Sequence, residues 1–261
     1  MLLPTLAPTG KVDGVAYVVL GDGGPVTLFA HGLGGSVAET RPLATRVAGT
    51  RVLMEFRGHG ESDAQPQGWD YDSLADDLLA VADAVGATQA VGLSLGSGAL
   101  LRALSRDPSR FARLAFVLPA AIDGTRRDGA TERLHRLGAA ISRGDARGAA
   151  DALLEELPDD VRRRRGVDAL VLRRAAQLVT RPAPSPARED RPLPDRSLLP
   201  RLTAPALVVA QEGDDLHPAD LAVELHRALP AADLLTLPPG GVFWTAGREA
   251  QLALARQLAE D

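Results

Sequence analysis

The sequence predicts an α/β protein with a mostly parallel central sheet covered by helices on both faces. Two observations carry this. Short, continuous apolar runs recur along the chain, as expected of strands buried on both faces. Between them lie amphipathic helical patterns, and strand–helix alternation of this kind argues for layered α/β architecture. The 261 residues suffice for one large domain, or one domain carrying an insertion.

The strand runs read in order. Val15–Leu20 ends at Gly21-Asp22-Gly23-Gly24, and Val26–Ala30 follows closely enough to suggest a hairpin. Arg51–Phe56 comes after a short helix, then Gln89–Leu93 and Leu114–Leu118, and late in the chain Ala206–Ala210 and Asp233–Leu237. Leu74, Leu78, Val81 and Val85 repeat at helical spacing behind Asp72, the expected N-cap. Leu221, Leu225 and Leu229, and near the end Leu254 and Leu258, recur every four residues. From about residue 121 to 200 no strand pattern appears. Thr131–Arg143, Ala146–Leu157 and Val167–Thr180 read as helices, followed by a proline-rich stretch beginning Arg181-Pro182-Ala183-Pro184-Ser185-Pro186, a stiff return path. The expected organisation is therefore a core of residues 1–120 and 201–261 with a helical cap, 121–200, lying over the sheet's C-terminal edge.

Composition narrows the function classes. Hydrophobic residues make up 45% and aromatics only 3%, so the core must be built from Leu, Val and Ala. A net charge of −5 with no basic arm argues against nucleic acid. The chain has no cysteine, which excludes disulfides, thiolate metal sites and a cysteine nucleophile. No stretch approaches membrane-spanning length, so the expectation is a cytoplasmic protein with no membrane partner. Nothing in the sequence calls for a metal or cofactor.

Gly92-Leu93-Ser94-Leu95-Gly96 is the most informative segment, because a strand pattern precedes it and a helix pattern follows. G-x-S-x-G in that context places a serine on a strained strand-to-helix turn with its hydroxyl exposed, the flanking glycines allowing strand and helix to approach closely. The Leu95 N–H would face an oxyanion beside Ser94. His31-Gly32-Leu33-Gly34-Gly35, directly after the second strand, can turn a second N–H, that of Leu33, to the same point. His31 is read as a prop for this loop rather than a proton carrier. Phe56-Arg57-Gly58-His59-Gly60-Glu61-Ser62 reads as a compact structural turn in which Arg57 pairs with a nearby carboxylate. Asp214, in Gln211-Glu212-Gly213-Asp214-Asp215-Leu216-His217-Pro218, sits where a carboxylate could orient a histidine, with Asp215 as fallback; a helix N-cap role is the plainer alternative.

This ordered set of motifs resembles the α/β-hydrolase superfamily, over nearly the whole chain, with the helical insertion where that family carries its cap. The resemblance implies a serine nucleophile, an acid and a histidine in that chain order, which puts Ser94 and Asp214 in the first two roles. The third place departs from the pattern. The family's histidine follows the last strand, and here that turn reads Pro238-Pro239-Gly240-Gly241-Val242-Phe243-Trp244, with Val242 where the histidine belongs. Valine cannot move a proton, and no histidine occurs after His226. Glu55 is a second departure, standing where many relatives have Asp. His217 and His135 are the candidate replacement bases; His31, His59 and His226 are read as structural.

The reading is an enzyme acting on a small, largely apolar ester, thioester or lactone, with an incomplete triad and therefore weak or atypical activity. The alternatives are a non-hydrolytic elimination or cyclisation enzyme on the same fold, and a ligand-binding pseudoenzyme. Arg162–Arg165 and Arg173-Arg174 read as a solvated face with Glu155, Glu156, Asp159 and Asp160 as partners. The sharper reading makes them an entrance for an anionic substrate, such as an acyl group linked to an acyl carrier or CoA. Gly32, His31 and Trp244 complete the expected pocket, Trp244 being either core or pocket wall.

Overall fold

Six of the apolar runs become a parallel sheet. In the computed structural model, which describes residues 8–124, 128–155, 157–180 and 190–259, these are β3 (Val26–Ala30), β4 (Thr50–Glu55), β5 (Gln89–Leu93), β6 (Arg113–Val117), β7 (Ala206–Gln211) and β8 (Ala232–Leu237). Two further strands, β1 (Gly10–Val12) and β2 (Val15–Leu20), extend one edge in antiparallel pairing. The strand order is β1-β2-β4-β3-β5-β6-β7-β8.

Both faces of this sheet are covered, and successive side chains divide between them as a strand requires. Leu28, Val52, Ala90, Leu114, Phe116 and Val208 belong to one apolar cluster, with residues of α2 (Tyr71–Val85), α3 (Leu95–Arg106) and α8 (Ala219–Ala228). Phe29, Leu53, Val91, Ala115, Val117 and Val209 belong to the other, with residues of α1 (Val37–Ala44) and α9 (Gly247–Gln257). This is why the central runs are largely apolar rather than alternating, whereas the edge strand β8 leaves Asp233 and Thr236 exposed.

Between β6 and β7 lie α4 (Asp128–Ser142), α5 (Ala146–Leu154), α6 (Asp159–Arg162) and α7 (Val167–Thr180). They pack around their own small apolar cluster, which includes Ala140, Ala149, Val161, Val171 and Ala175. The two roots of the insertion are tied together: the Leu193 amide donates to the Ile122 carbonyl at 2.8 Å, and Arg196 pairs with Asp123 at 2.7 Å. Arg102 of α3 anchors the returning chain, donating to the carbonyls of Arg191 and Pro192 and pairing with Asp190 and Asp72.

Three expectations change. The hairpin does not form, because β2 and β3 each pair with β4 and not with one another. Asp70, not Asp72, caps α2: its side chain accepts from the Ser73 amide, and the Ser73 hydroxyl accepts from the Asp70 amide. Asp72 instead accepts from Arg102 and Arg106. The helix expected to reach Leu157 stops at Leu154, since Pro158 cannot continue it and instead opens α6. The proline-rich residues 181–189, and Glu156, fall outside the described residues. No helix among the described residues is long and apolar enough to cross a membrane.

Replacing Arg102 by Ala leaves the partly buried Asp190 carboxylate and two carbonyls short of their donor. It is expected to lower unfolding free energy by about 2–3 kcal/mol, measured as a shift in urea midpoint at constant slope.

Candidate active site

The loops that follow β3, β5 and β7 converge at the sheet's C-terminal edge. Ser94 links β5 to α3 with φ 51° and ψ −108°, a backbone state that costs a residue with a Cβ roughly 1–3 kcal/mol. The surroundings enforce it. The Ser94 amide donates to the Val117 carbonyl at 2.9 Å, and the buried Ser97 hydroxyl bonds the Gly92 carbonyl at 2.7 Å. A Cβ at Gly92 would run into the Gly96 backbone, and one at Gly96 into the carbonyls of Ala30 and His31. Both glycines are therefore steric necessities of this turn.

The loop after β3 lies against Ser94; a Cβ on Gly32 would sit 3.4 Å from that of Ser94. Two buried histidines support it. His31 Nδ1 donates to the Gly32 carbonyl at 2.6 Å, and its Nε2 accepts from the Phe56 amide at 3.1 Å. His59 Nε2 accepts from the Gly34 amide at 3.1 Å. Each therefore uses a bare ring nitrogen as an acceptor, which requires the neutral form. Burial, as the largest cause, lowers His31 from the ordinary 6.5 to about 4, its bond to the Gly32 carbonyl opposing. Burial and the neighbouring His31 lower His59 to about 3. The amides of Gly32 and Gly35 are also engaged, by Glu39 at 3.0 Å and by the Gly32 carbonyl at 2.9 Å. Leu33 lies between these residues with its amide outside that set. Leu95 opens α3, where first-turn amides have no partner within the helix.

The turn after β4 is structural, as expected. The Arg57 side chain donates to Asp77 Oδ1 at 2.6 Å and its amide to Oδ2 at 2.9 Å. Glu55, buried, accepts from the Val37 amide at 3.2 Å and the Glu61 amide at 2.7 Å, tying α1 to this turn.

On the loop after β7, Asp214 and His217 meet. Asp214 Oδ1 accepts the amides of Leu216 and His217 at 3.0 and 3.1 Å. Its Oδ2 lies 3.0 Å from His217 Nδ1, and His217 Nε2 lies 2.8 Å from Ser94 Oγ. With Asp214 ionised, Nδ1 carries the proton and Nε2 accepts from the serine hydroxyl. Burial works to raise the Asp214 carboxyl, but the His217 ring and the amides of His217 and Leu216 outweigh it and hold it below the ordinary aspartate value.

The expected gap at Val242 is thus answered from another loop. The hydrogen-bond chain Ser94–His217–Asp214 is unbroken, with a histidine three residues after the acid rather than after β8. This corrects the expectation of an incomplete triad. Val242 itself is buried in the apolar cluster shared with α1 and α9. His135 lies exposed on α4, and His226 lies on α8. Trp244 packs against the insertion's apolar cluster, and its carbonyl accepts from Arg164 at 3.2 Å. Arg162 and Arg164 pair with Asp159 and Asp160, the solvated-face reading; Arg174 lies 3.8 Å from Glu39. Sequence reasoning missed Gln211, whose amide bridges Asp214 and the Val242 backbone. The only signal was a polar residue ending an apolar strand. Among the described residues, no group of three His, Asp or Glu side chains is placed to hold a metal ion.

The profile of the alpha/beta hydrolase fold family matches residues 25–243. A protein of Caulobacter segnis named "Putative carbamate hydrolase RutD" is 38% identical over 118 residues, 42% of this chain and 44% of that one. A dihydrolipoyllysine-residue acetyltransferase component of the acetoin cleaving system of Pseudomonas putida is 30% identical over 235 residues, 85% of this chain and 59% of that one. The chain thus spans about half the length of these two relatives. Among solved structures, the enol-lactonase from Burkholderia xenovorans LB400 superposes with a TM-score of 0.74 at 19% identity, covering 95% of this chain and 98% of that one.

The two histidines give the site a pH signature. Both have folded values below the unfolded 6.5, so as pH falls the unfolded chain takes up protons first. Stability is full above about pH 6.5 and is lost as pH falls toward about 4, with His31 alone contributing on the order of 3 kcal/mol. Urea midpoints measured in steps from about pH 7.5 to about pH 4.5 should fall progressively below about 6.5. A flat series would show that these imidazoles are not held neutral.

Proposed function

The chain belongs to the α/β-hydrolase fold family, and from that premise we propose that it hydrolyses a small, largely apolar ester, thioester or lactone through Ser94. The observation that carries this reading is the 2.8 Å and 3.0 Å chain from Ser94 Oγ through His217 to Asp214. Ser94 Oγ attacks the acyl carbon as His217 Nε2 takes its proton. The oxyanion that forms is met by the amides of Leu33 and Leu95. The tetrahedral intermediate collapses, the leaving group departs with the proton from His217, and an acyl-Ser94 remains. Water, deprotonated by the same nitrogen, releases the acid and restores the serine. Asp214 fixes the ring's tautomer and balances the imidazolium.

Segment 121–200 acts in this reading as the cap that shapes the substrate's entry. Arg162 and Arg164 already have acidic partners, which favours a free, uncharged substrate over an acyl group on a phosphopantetheine carrier. The relative named "Putative carbamate hydrolase RutD" agrees with a small substrate.

A fluorophosphonate probe is expected to label Ser94, and His217→Ala to lower kcat on p-nitrophenyl acetate by roughly 10³-fold or more. Val242→His in the native background should bring no gain, because Asp214 already holds its histidine. Folded protein that resists the probe under conditions that label an ordinary serine esterase would overturn the reading.

A further inference from the structure

Gln211 closes β7, and both ends of its side-chain amide are used. Its Oε1 accepts from the Val242 amide at 3.1 Å, and its Nε2 donates to Asp214 Oδ2 at 3.1 Å. The orientation has no freedom. A backbone N–H can only donate and an ionised carboxylate can only accept, so each partner selects one end of the glutamine. Asp214 then receives four hydrogen bonds, two on each oxygen, which fills the roughly four acceptor sites of a carboxylate. Three of the donors belong to the 214–217 loop itself. The fourth comes from Gln211, which is tied in turn to the π-helical turn Gly241–Thr245.

We propose that Gln211 is a positioning residue for the Ser94–His217–Asp214 chain: it couples the Val242 backbone amide to Asp214 and holds the carboxylate in the plane that faces His217 Nδ1. Its consequence for turnover rests on the hydrolase reading above; the geometry does not. The turn after β8 thereby keeps a link to the acid while contributing a main-chain N–H instead of an imidazole. That link is indifferent to the side chain at 242, which is free to be apolar. Without Gln211, the carboxylate keeps its two amide bonds on Oδ1 but loses the donor that, with His217, fixes the swing of Oδ2.

Two substitutions separate donation to Asp214 from simple anchoring of the turn. Gln211→Met removes both bonds. Gln211→Glu keeps an acceptor for the Val242 amide and, at about pH 8.5, turns a second carboxylate toward Asp214. Both are expected to lower kcat on p-nitrophenyl acetate about 10-fold, Gln211→Glu at least as much as Gln211→Met, with KM within about twofold. In proton NMR, the wild type is expected to show a low-field ring N–H resonance of His217, and both variants to lose it. A Gln211→Glu protein with wild-type kcat and an intact resonance overturns the proposal and leaves Gln211 a turn anchor. A third measurement needs no variant: the Gln211 side-chain amide protons should exchange slowly with solvent in the wild-type protein, and fast exchange overturns the proposal. A wild-type protein that cleaves no ester would sink the hydrolase reading, while the resonance and exchange measurements would still decide the role of Gln211.

Discussion

The site depends on one close contact, that of the start of α3 with the ends of β3 and β5. Gly96 lies against the carbonyls of Ala30 and His31, and Gly92 against the Gly96 backbone. With no Cβ at either place, the helix begins almost on the strand, and Ser94 is left at a positive φ. The remaining geometry follows. The Ser94 side chain stands clear of the sheet, the first helical amides are unpaired within the helix, and the loop after β3 is pressed against the serine. That loop then needs support from below, which the neutral imidazoles of His31 and His59 supply without placing charge in the core.

The position of the histidine shows how little a Ser–His–Asp hydrogen-bond chain asks of the chain path. A serine hydroxyl needs a neutral imidazole nitrogen within hydrogen-bond reach, and the imidazole needs its other nitrogen protonated and oriented. Either requirement can be met from the loop after β7 or from the turn after β8. Here His217 meets both, at 2.8 Å and 3.0 Å, and the vacated turn fills with Val242 packed in the core. A family pattern read position by position finds a missing part; the folded chain brings the same set of side chains together along a different route.

Much of the fold was legible because burial on both faces leaves a strong trace, the largely apolar runs between Val26 and Leu237. Pairing was not legible: β2 and β3 are neighbours in sequence, but their common partner β4 comes later, and no local signal records that. β1, three residues long, carries too little pattern to be seen. In the site, Ser94, the His31 loop and Asp214 stood out because glycines and a carboxylate at strand ends are written locally. His217 could be weighed only as one histidine among several, since its reach to Ser94 depends on how the β7 loop bends. Gln211 left almost no trace, because its meaning is a bond to the Val242 amide, 31 residues away.

Asp214 and His217 sit three residues apart, and this divides the site into a local and a non-local part. A contact that short closes almost no loop, so its entropic cost is small and it forms once the turn before α8 forms. Ser94 lies 123 residues from His217 and reaches it only when the parallel sheet has registered β5 beside β6 and β6 beside β7. Non-local pairings of that kind are the slow part of such topologies. The Asp214–His217 half of the site is therefore fixed by one short loop, while its junction with Ser94 depends on the whole parallel sheet being in register.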